Sequence, residues 1–191
     1  MSNSNYPTSY NLFKPIAELR NHKQNKKELT RFVFRYRLAK SFEGMSAEGI
    51  GRTLEGYNAV VKLFLTYTAY EQLLRASVGL NVFGMFSIDR NTIFDARLAD
   101  RLRKNGKLID FLVEHSTDGT LLSKLISFRK NSNNDVVCVA YAIRNIFAHG
   151  ELTATAIGTS LKSERETLYD LADVLLNYCN ENFTKCVEKL R

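Results

Sequence analysis

The chain has 191 residues and a mass of 21.8 kDa, with 45% hydrophobic and 25% charged residues, 2 prolines and 10 glycines. That composition excludes a wholly disordered or collagen-like chain and suits one domain with a real core. No apolar run approaches the roughly 20 residues a membrane helix needs, and Met1 to Tyr10 lacks the apolar stretch of a signal peptide, so a soluble, cytoplasmic protein without a membrane partner is expected. Cys138, Cys179 and Cys186 form an odd set with no CxxC spacing, which supports neither a disulfide framework nor a zinc site. They read as core or boundary thiols. With only 3 histidines, an imidazole-rich metal site is not expected either, and no cofactor is implied.

The formal charge of +7 is a local feature. Nine basic and two acidic residues stand within the first 40 positions, and the remainder of the chain is neutral. A basic arm of this kind is a phosphate-contacting element or a solvated helix face, and charge alone does not choose between them.

In chain order, residues 1–24 read as an extended leader carrying Pro7 and Pro15. Leu29, Phe32, Val33, Tyr36 and Leu38 to Ala39 recur at helical steps and predict a helix from about Lys26 to Phe42. Gly44, Gly49 and Gly51 mark a loop without the P-loop pattern. A long helix is predicted from about Thr53 to Leu80, then one over Ile93 to Arg103, capped by Asn91 and stopped at Gly106. Leu108 to Glu114 and Leu121 to Phe128 read as shorter helices, and Asn131 to Asn134 as a polar loop. Val136 to His149 is a helix ended by Gly150, and Glu151 to Gly158 a connector. Ser163 and Glu166 form a capping box for a last helix running to about Leu190. No segment sustains period-two alternation. The expected fold is all-α, a helical bundle of about five to seven helices with an irregular N-terminal leader: residues 1–25 a basic leader, residues 26–191 one helical domain.

The informative stretch is VVCVAYAIRNIFAHG, residues 136–150. On a helix at about 100° per residue, Val136, Val139, Ala140, Ile143, Ile146 and Phe147 share one side. Tyr141, Arg144, Asn145, Ala148 and His149 share the other, with Val137 and Cys138 a turn earlier. A cation, an amide, an imidazole and a phenol thus gather around a small alanine. Asn145 and His149 are i, i+4 neighbours, whereas Arg144 and His149 flank a site without meeting. The bland reading is a His that serves as a helix C-terminal cation and an Arg that makes a structural ion pair.

Arg144-Asn145-Ile146-Phe147-Ala148-His149 resembles the R-x4-6-H motif of HEPN (higher eukaryotes and prokaryotes nucleotide-binding) domains, in the R-N-x3-H form followed by Gly. Chance in a chain of this composition gives R-x4-H about 0.2 times, and about 0.02 times with Asn following the Arg. The resemblance spans about residues 26–190. It implies a helical bundle with the motif on a late helix, and a metal-independent endoribonuclease acting as a toxin or antiphage-defence effector. It also implies a homodimer whose two motifs form one composite cleft on RNA, with an antitoxin or regulatory partner.

His149 would exchange protons with the ribose 2′-OH or the leaving oxygen. Arg144 would hold the phosphate and the charge of the transition state, and Asn145 would orient His149 or the phosphate. The products would be a 2′,3′-cyclic phosphate and a 5′-hydroxyl end. Many members carry a facing polar residue on an earlier helix, a role Glu71 would fill by pairing with Arg144. Tyr141 would stack on a base or pack a dimer. Lys26, Lys27, Arg31 and Arg35 are candidate RNA contacts. The alternative function is a non-catalytic HEPN-like module that binds nucleotide, RNA or protein. His22 and His115, without evident partners, read as surface residues. In HEPN toxins neutralised by a nucleotidyltransferase, a tyrosine stands two residues after the histidine; here that residue is Glu151, which argues against regulation by modifying such a tyrosine.

Overall fold

A computed structural model describes residues 5–18, 23–49, 51–80 and 93–190. The fold is all-α. Among the described residues there are eight helices: α1 (Tyr10–Glu18), α2 (Lys23–Ser41), α3 (Gly51–Leu80), α4 (Ala96–Lys104), α5 (Gly106–His115), α6 (Gly119–Arg129), α7 (Val136–Ala148) and α8 (Lys162–Leu190). None of these is long and apolar enough to cross a membrane. The chain divides into two compact units. The first comprises residues 1–42, 65–91 and 173–191, and the second residues 43–64 and 92–172, so α3 and α8 each contribute to both.

In the first unit, the stretch predicted as an irregular leader contains α1, despite Pro15 inside it. A proline there removes one helical N–H, and tertiary contacts outweigh that local cost. Phe13 is buried and meets Phe183 edge-on, with centroids 5.5 Å apart. Just before α1, Thr8 N–H donates to Asn180 Oδ1 at 2.7 Å, the Asn180 amide returns a bond to Thr8 Oγ1 at 2.9 Å, and Ser9 and Thr184 pair through their hydroxyls. The part of the leader described, residues 5–18, is therefore packed into this unit and is not a separate arm. Leu29, Phe32, Val33, Tyr36 and Ala39 are buried along α2 at the spacing predicted for them. Tyr36 is pushed up to about 12 by burial, with Cys179 and Asp173 nearby adding to the effect.

In the second unit, α4 to α7 pack on one another. The predicted α4 cap, Asn91, lies outside the described residues. The cap is Asp95, whose carboxylate accepts from Leu98 N–H at 2.9 Å. Gly106 does not stop a helix but begins α5, because Asn105 before it accepts from Leu108 N–H at 3.1 Å while its amide donates to Ile157 O at 3.1 Å. Arg103 ties α4 to the turns beyond α6: its Nε donates to Phe128 O at 2.8 Å, its Nη2 to Asn133 O at 2.9 Å, and its guanidinium lies over the Phe128 ring. The predicted capping box is not formed. Ser163 already lies in the first turn of α8, where its carbonyl accepts from Thr167, and Glu166 faces Lys162. The preceding Thr159 and Ser160 carbonyls are held by Arg165 Nη1.

Asp135 starts α7. Its Oδ1 accepts from Val137 N–H and Ile93 N–H, each at 3.1 Å, while Val136 N–H bonds Ile93 O at 3.0 Å. The side chain is 2% exposed. Burial raises its carboxyl above the usual range; the two N–H donors and Lys124 oppose that shift. Asp135→Ala strands both donors and is expected to cost about 2–4 kcal/mol. Asp135→Asn keeps the oxygen and removes the buried charge, so it should match or exceed the wild type in urea denaturation at pH 7. Because the folded carboxyl binds its proton more tightly than the unfolded one, wild-type stability rises relative to that of Asp135→Asn as pH falls through the folded value. The gap in favour of the amide should therefore shrink on acidification, and a gap that widens would contradict this account.

Candidate active site

Helix α7 departs from a clean two-face split: its start is buried all round, Val137 of the predicted polar side included. Val136, Val137, Val139, Ala140, Ala142, Ile143 and Ile146 are buried, Tyr141, Arg144, Asn145 and, on the predicted core side, Phe147 are half-buried, and Ala148 and His149 are exposed. Cys138 is also buried, and burial is the largest cause of its thiol being pushed up to about 12. Cys179 and Cys186 are buried and likewise shifted upward, so none of the three is poised as a nucleophile at neutral pH.

The end of α7 is a Schellman motif that fixes His149. Glu151 N–H bonds back to Ile146 O at 3.2 Å and Gly150 N–H to Phe147 O at 3.0 Å. Gly150 takes the left-handed conformation this needs, with φ +78°. His149 is the residue just before it, its own N–H bonded to Asn145 O at 3.2 Å. The chain reverses here, so an imidazole, and then the Glu151 carboxylate, are presented beside the last turn of the helix.

That reversal borders a pocket of about 90 Å³ inside the second unit. Asn145, Ile146, His149 and Glu151 line it from the α7 side. His115, Ser116, Thr117, Asp118 and Leu121 line it from the end of α5, the short turn after it and the start of α6. Leu121 and Ile146 are buried apolar walls. Asp118 caps α6, accepting from Leu121 N–H at 2.9 Å, and Ser116 Oγ donates to Leu112 O at 2.6 Å. The residues around the pocket thus include two histidines, an asparagine and two acidic residues beside the apolar Leu121 and Ile146.

Of the predicted site residues, Asn145 and His149 share this pocket. Arg144 is joined to them through Asn145: its Nη1 donates to Asn145 Oδ1 at 2.8 Å. That bond takes one of the carbonyl's two acceptor positions and orients the amide, whose NH2 can donate to a guest. Neither Arg144 nor Tyr141 lines the pocket itself. Glu71 lies in the first unit, where its carboxylate accepts from Arg75 at 3.0 Å.

The four basic candidates on α2 do not present one exposed stripe. Lys26 is 6% exposed and Arg35 is half-buried, donating to Thr68 O at 3.2 Å, while Lys27 and Arg31 are exposed and Arg31 pairs with Glu28 at 2.8 Å. His115, read from the sequence as a surface residue without partners, is half-buried, stacked on Phe111 with ring centroids 4.0 Å apart, and part of the pocket wall. Its position in the last turn of a short helix is visible in the sequence; the packing of α5 on α7 that sets it on the same pocket as His149 is not. Among the described residues, no three His, Cys, Asp or Glu side chains come together as a metal site needs.

The fold is all-α, and the pocket beside the end of α7 is its candidate site. No family model, no curated protein and no solved structure matches the chain.

Proposed function

We propose that this chain is a metal-independent endoribonuclease of HEPN type, with Arg144, Asn145 and His149 at its centre. The observation that carries the reading is that the R-N-x3-H residues form one connected unit: Arg144 bonded to Asn145, and Asn145 and His149 on the wall of one pocket. An imidazole is the side chain suited to moving protons at neutral pH. A guanidinium-supported amide donor is suited to a phosphate whose charge rises in the transition state.

The reaction is transesterification within RNA. The ribose 2′-oxygen attacks the adjacent phosphorus, the bond to the 5′-oxygen breaks, and a 2′,3′-cyclic phosphate and a 5′-hydroxyl result. His149 stands at the solvent-facing end of α7. A second copy of the chain is the partner that the HEPN resemblance proposes, and a toxin or antiphage effector is the role.

The test is cleavage of a mixed panel of RNAs in EDTA by purified wild type and His149→Ala. The expected result is cyclic-phosphate ends from the wild type and a loss of about 10²–10⁴-fold in rate from the folded variant. RNA bound equally by both proteins and cut by neither would replace the enzyme with a binding module.

A further inference from the structure

We propose that His115 is the second catalytic imidazole of this site, the general base that takes the ribose 2′-OH proton, with His149 as the acid that protonates the leaving 5′-oxygen. The proposal rests on the ribonuclease reading above and adds a residue outside the R-N-x3-H motif.

Cleavage by 2′-oxygen attack needs two proton transfers, one off the nucleophile and one onto the leaving group, at opposite ends of the reacting P–O axis. A single imidazole cannot stand at both. The pocket of about 90 Å³ has an imidazole on each side: His149 from the end of α7, His115 from the end of α5. A guest in this space is bordered by both residues.

The tautomer of His115 is set by its surroundings. Its Nδ1 lies 3.0 Å from Phe111 O. A carbonyl only accepts, so Nδ1 carries the hydrogen and the neutral ring keeps its lone pair on Nε2. Stacking on Phe111 fixes the ring plane. A ring held in this way is a preorganised base, the same logic by which a carboxylate orients a catalytic histidine elsewhere.

The protons balance. The 2′-OH proton passes to His115 Nε2 as the 2′-O–P bond forms. The P–O5′ bond breaks and its oxygen takes the proton of the His149 imidazolium. The enzyme is left with His115 charged and His149 neutral, and exchange with solvent resets the pair. Both residues line the pocket from the same chain, so this acid–base pair forms within one protomer, and a second copy would set a second such pocket beside it.

The variant that separates catalysis from packing is His115→Asn, whose amide nitrogen replaces Nδ1 and keeps the bond to Phe111 O while removing Nε2. Cleavage of a mixed-sequence RNA oligomer is followed against pH for wild type, His115→Asn and His149→Ala. The charged and titratable groups on the other pocket walls, His149, Asp118 and Glu151, are untouched in His115→Asn. The wild type should give a bell: the rate rises as the base loses its proton and falls as the acid loses its own. His115→Asn should lower kcat about 10²–10⁴-fold with KM little changed, lose the rising limb and keep the falling one. Imidazole added to the buffer should restore part of the rate.

Mixing His115→Asn with His149→Ala should restore nothing, because each chain's site then lacks one group; recovery on mixing would overturn the one-chain pair. A His115→Asn protein that cuts at the wild-type rate with an unchanged bell, while His149→Ala is dead, overturns the role of His115 and leaves the ribonuclease reading standing. A wild type that cuts no RNA removes both.

Discussion

Replacing Phe183 with alanine is expected to destabilise the chain by about 3–5 kcal/mol. Phe183 is fully buried in α8 and holds two elements at once. Its ring meets Phe13 of α1 edge-on at 5.5 Å and Phe32 of α2 at 5.2 Å. Removing it takes away the apolar transfer term, leaves a cavity and breaks both aromatic pairs. Helix α1 should suffer most, because it is only nine residues long and carries Pro15; isolated helices of that length are marginal in water. The measurement is urea denaturation by far-UV circular dichroism, with amide exchange along residues 12–18 as the local readout. Phe183→Leu should recover much of the loss, since it refills most of the volume. Phe94→Ala, at a side chain 69% exposed, should stay within about 0.5 kcal/mol of wild type. A Phe183→Ala protein with unaltered protection in α1 would mean that the Thr8 and Ser9 bonds, and not the aromatic cluster, hold the N-terminus.

What the sequence reveals of this protein is what local period and local chemistry encode. Helix α7 has a continuous apolar side and a glycine at the residue that must adopt positive φ, so its extent and its end are legible in the residues themselves, whereas the burial of Val137 and Cys138 on its other side comes from tertiary packing. Helix α1 is not, because proline and polar neighbours speak against a helix locally, and the contacts that override them come from residues more than 160 positions away. Gly106 reads as a stop because a glycine after a helix usually is one; the competing signal is Asn105, an N-cap residue. The Ser163 box fails for a related reason, since cap motifs are degenerate and the helix already begins at Lys162, ahead of Ser163. Asn145 and His149 can be placed together from i, i+4 spacing alone. His115 cannot, because its partnership depends on how α5 packs against α7, and no periodicity within either helix reports that.

Arg144 and Asn145 should behave as one catalytic group rather than two. Their side chains share a hydrogen bond of 2.8 Å, and only Asn145 reaches the pocket wall. If the amide is the donor to the phosphate and the guanidinium fixes which way that amide points, removing either abolishes the same interaction. Arg144→Ala and Asn145→Ala should each lower kcat/KM for RNA cleavage by about 10²–10³-fold. The double variant should be little worse than either, so the coupling energy should nearly equal a single loss, about 3–4 kcal/mol. Arg144→Lys keeps the charge but lacks the planar fork, so it should resemble Arg144→Ala more than wild type. Asn145→Asp keeps the acceptor for Arg144 but replaces the donor with an anion facing the phosphate, and should be as damaging as Asn145→Ala. Full additivity would instead mean that Arg144 meets the substrate on its own account. Circular dichroism and sedimentation of each variant decide the remaining case. A half-buried arginine whose loss unfolds the chain or changes its oligomeric state, with no activity to lose in the wild type, belongs to an assembly surface, and the polar side of α7 is then packing rather than chemistry.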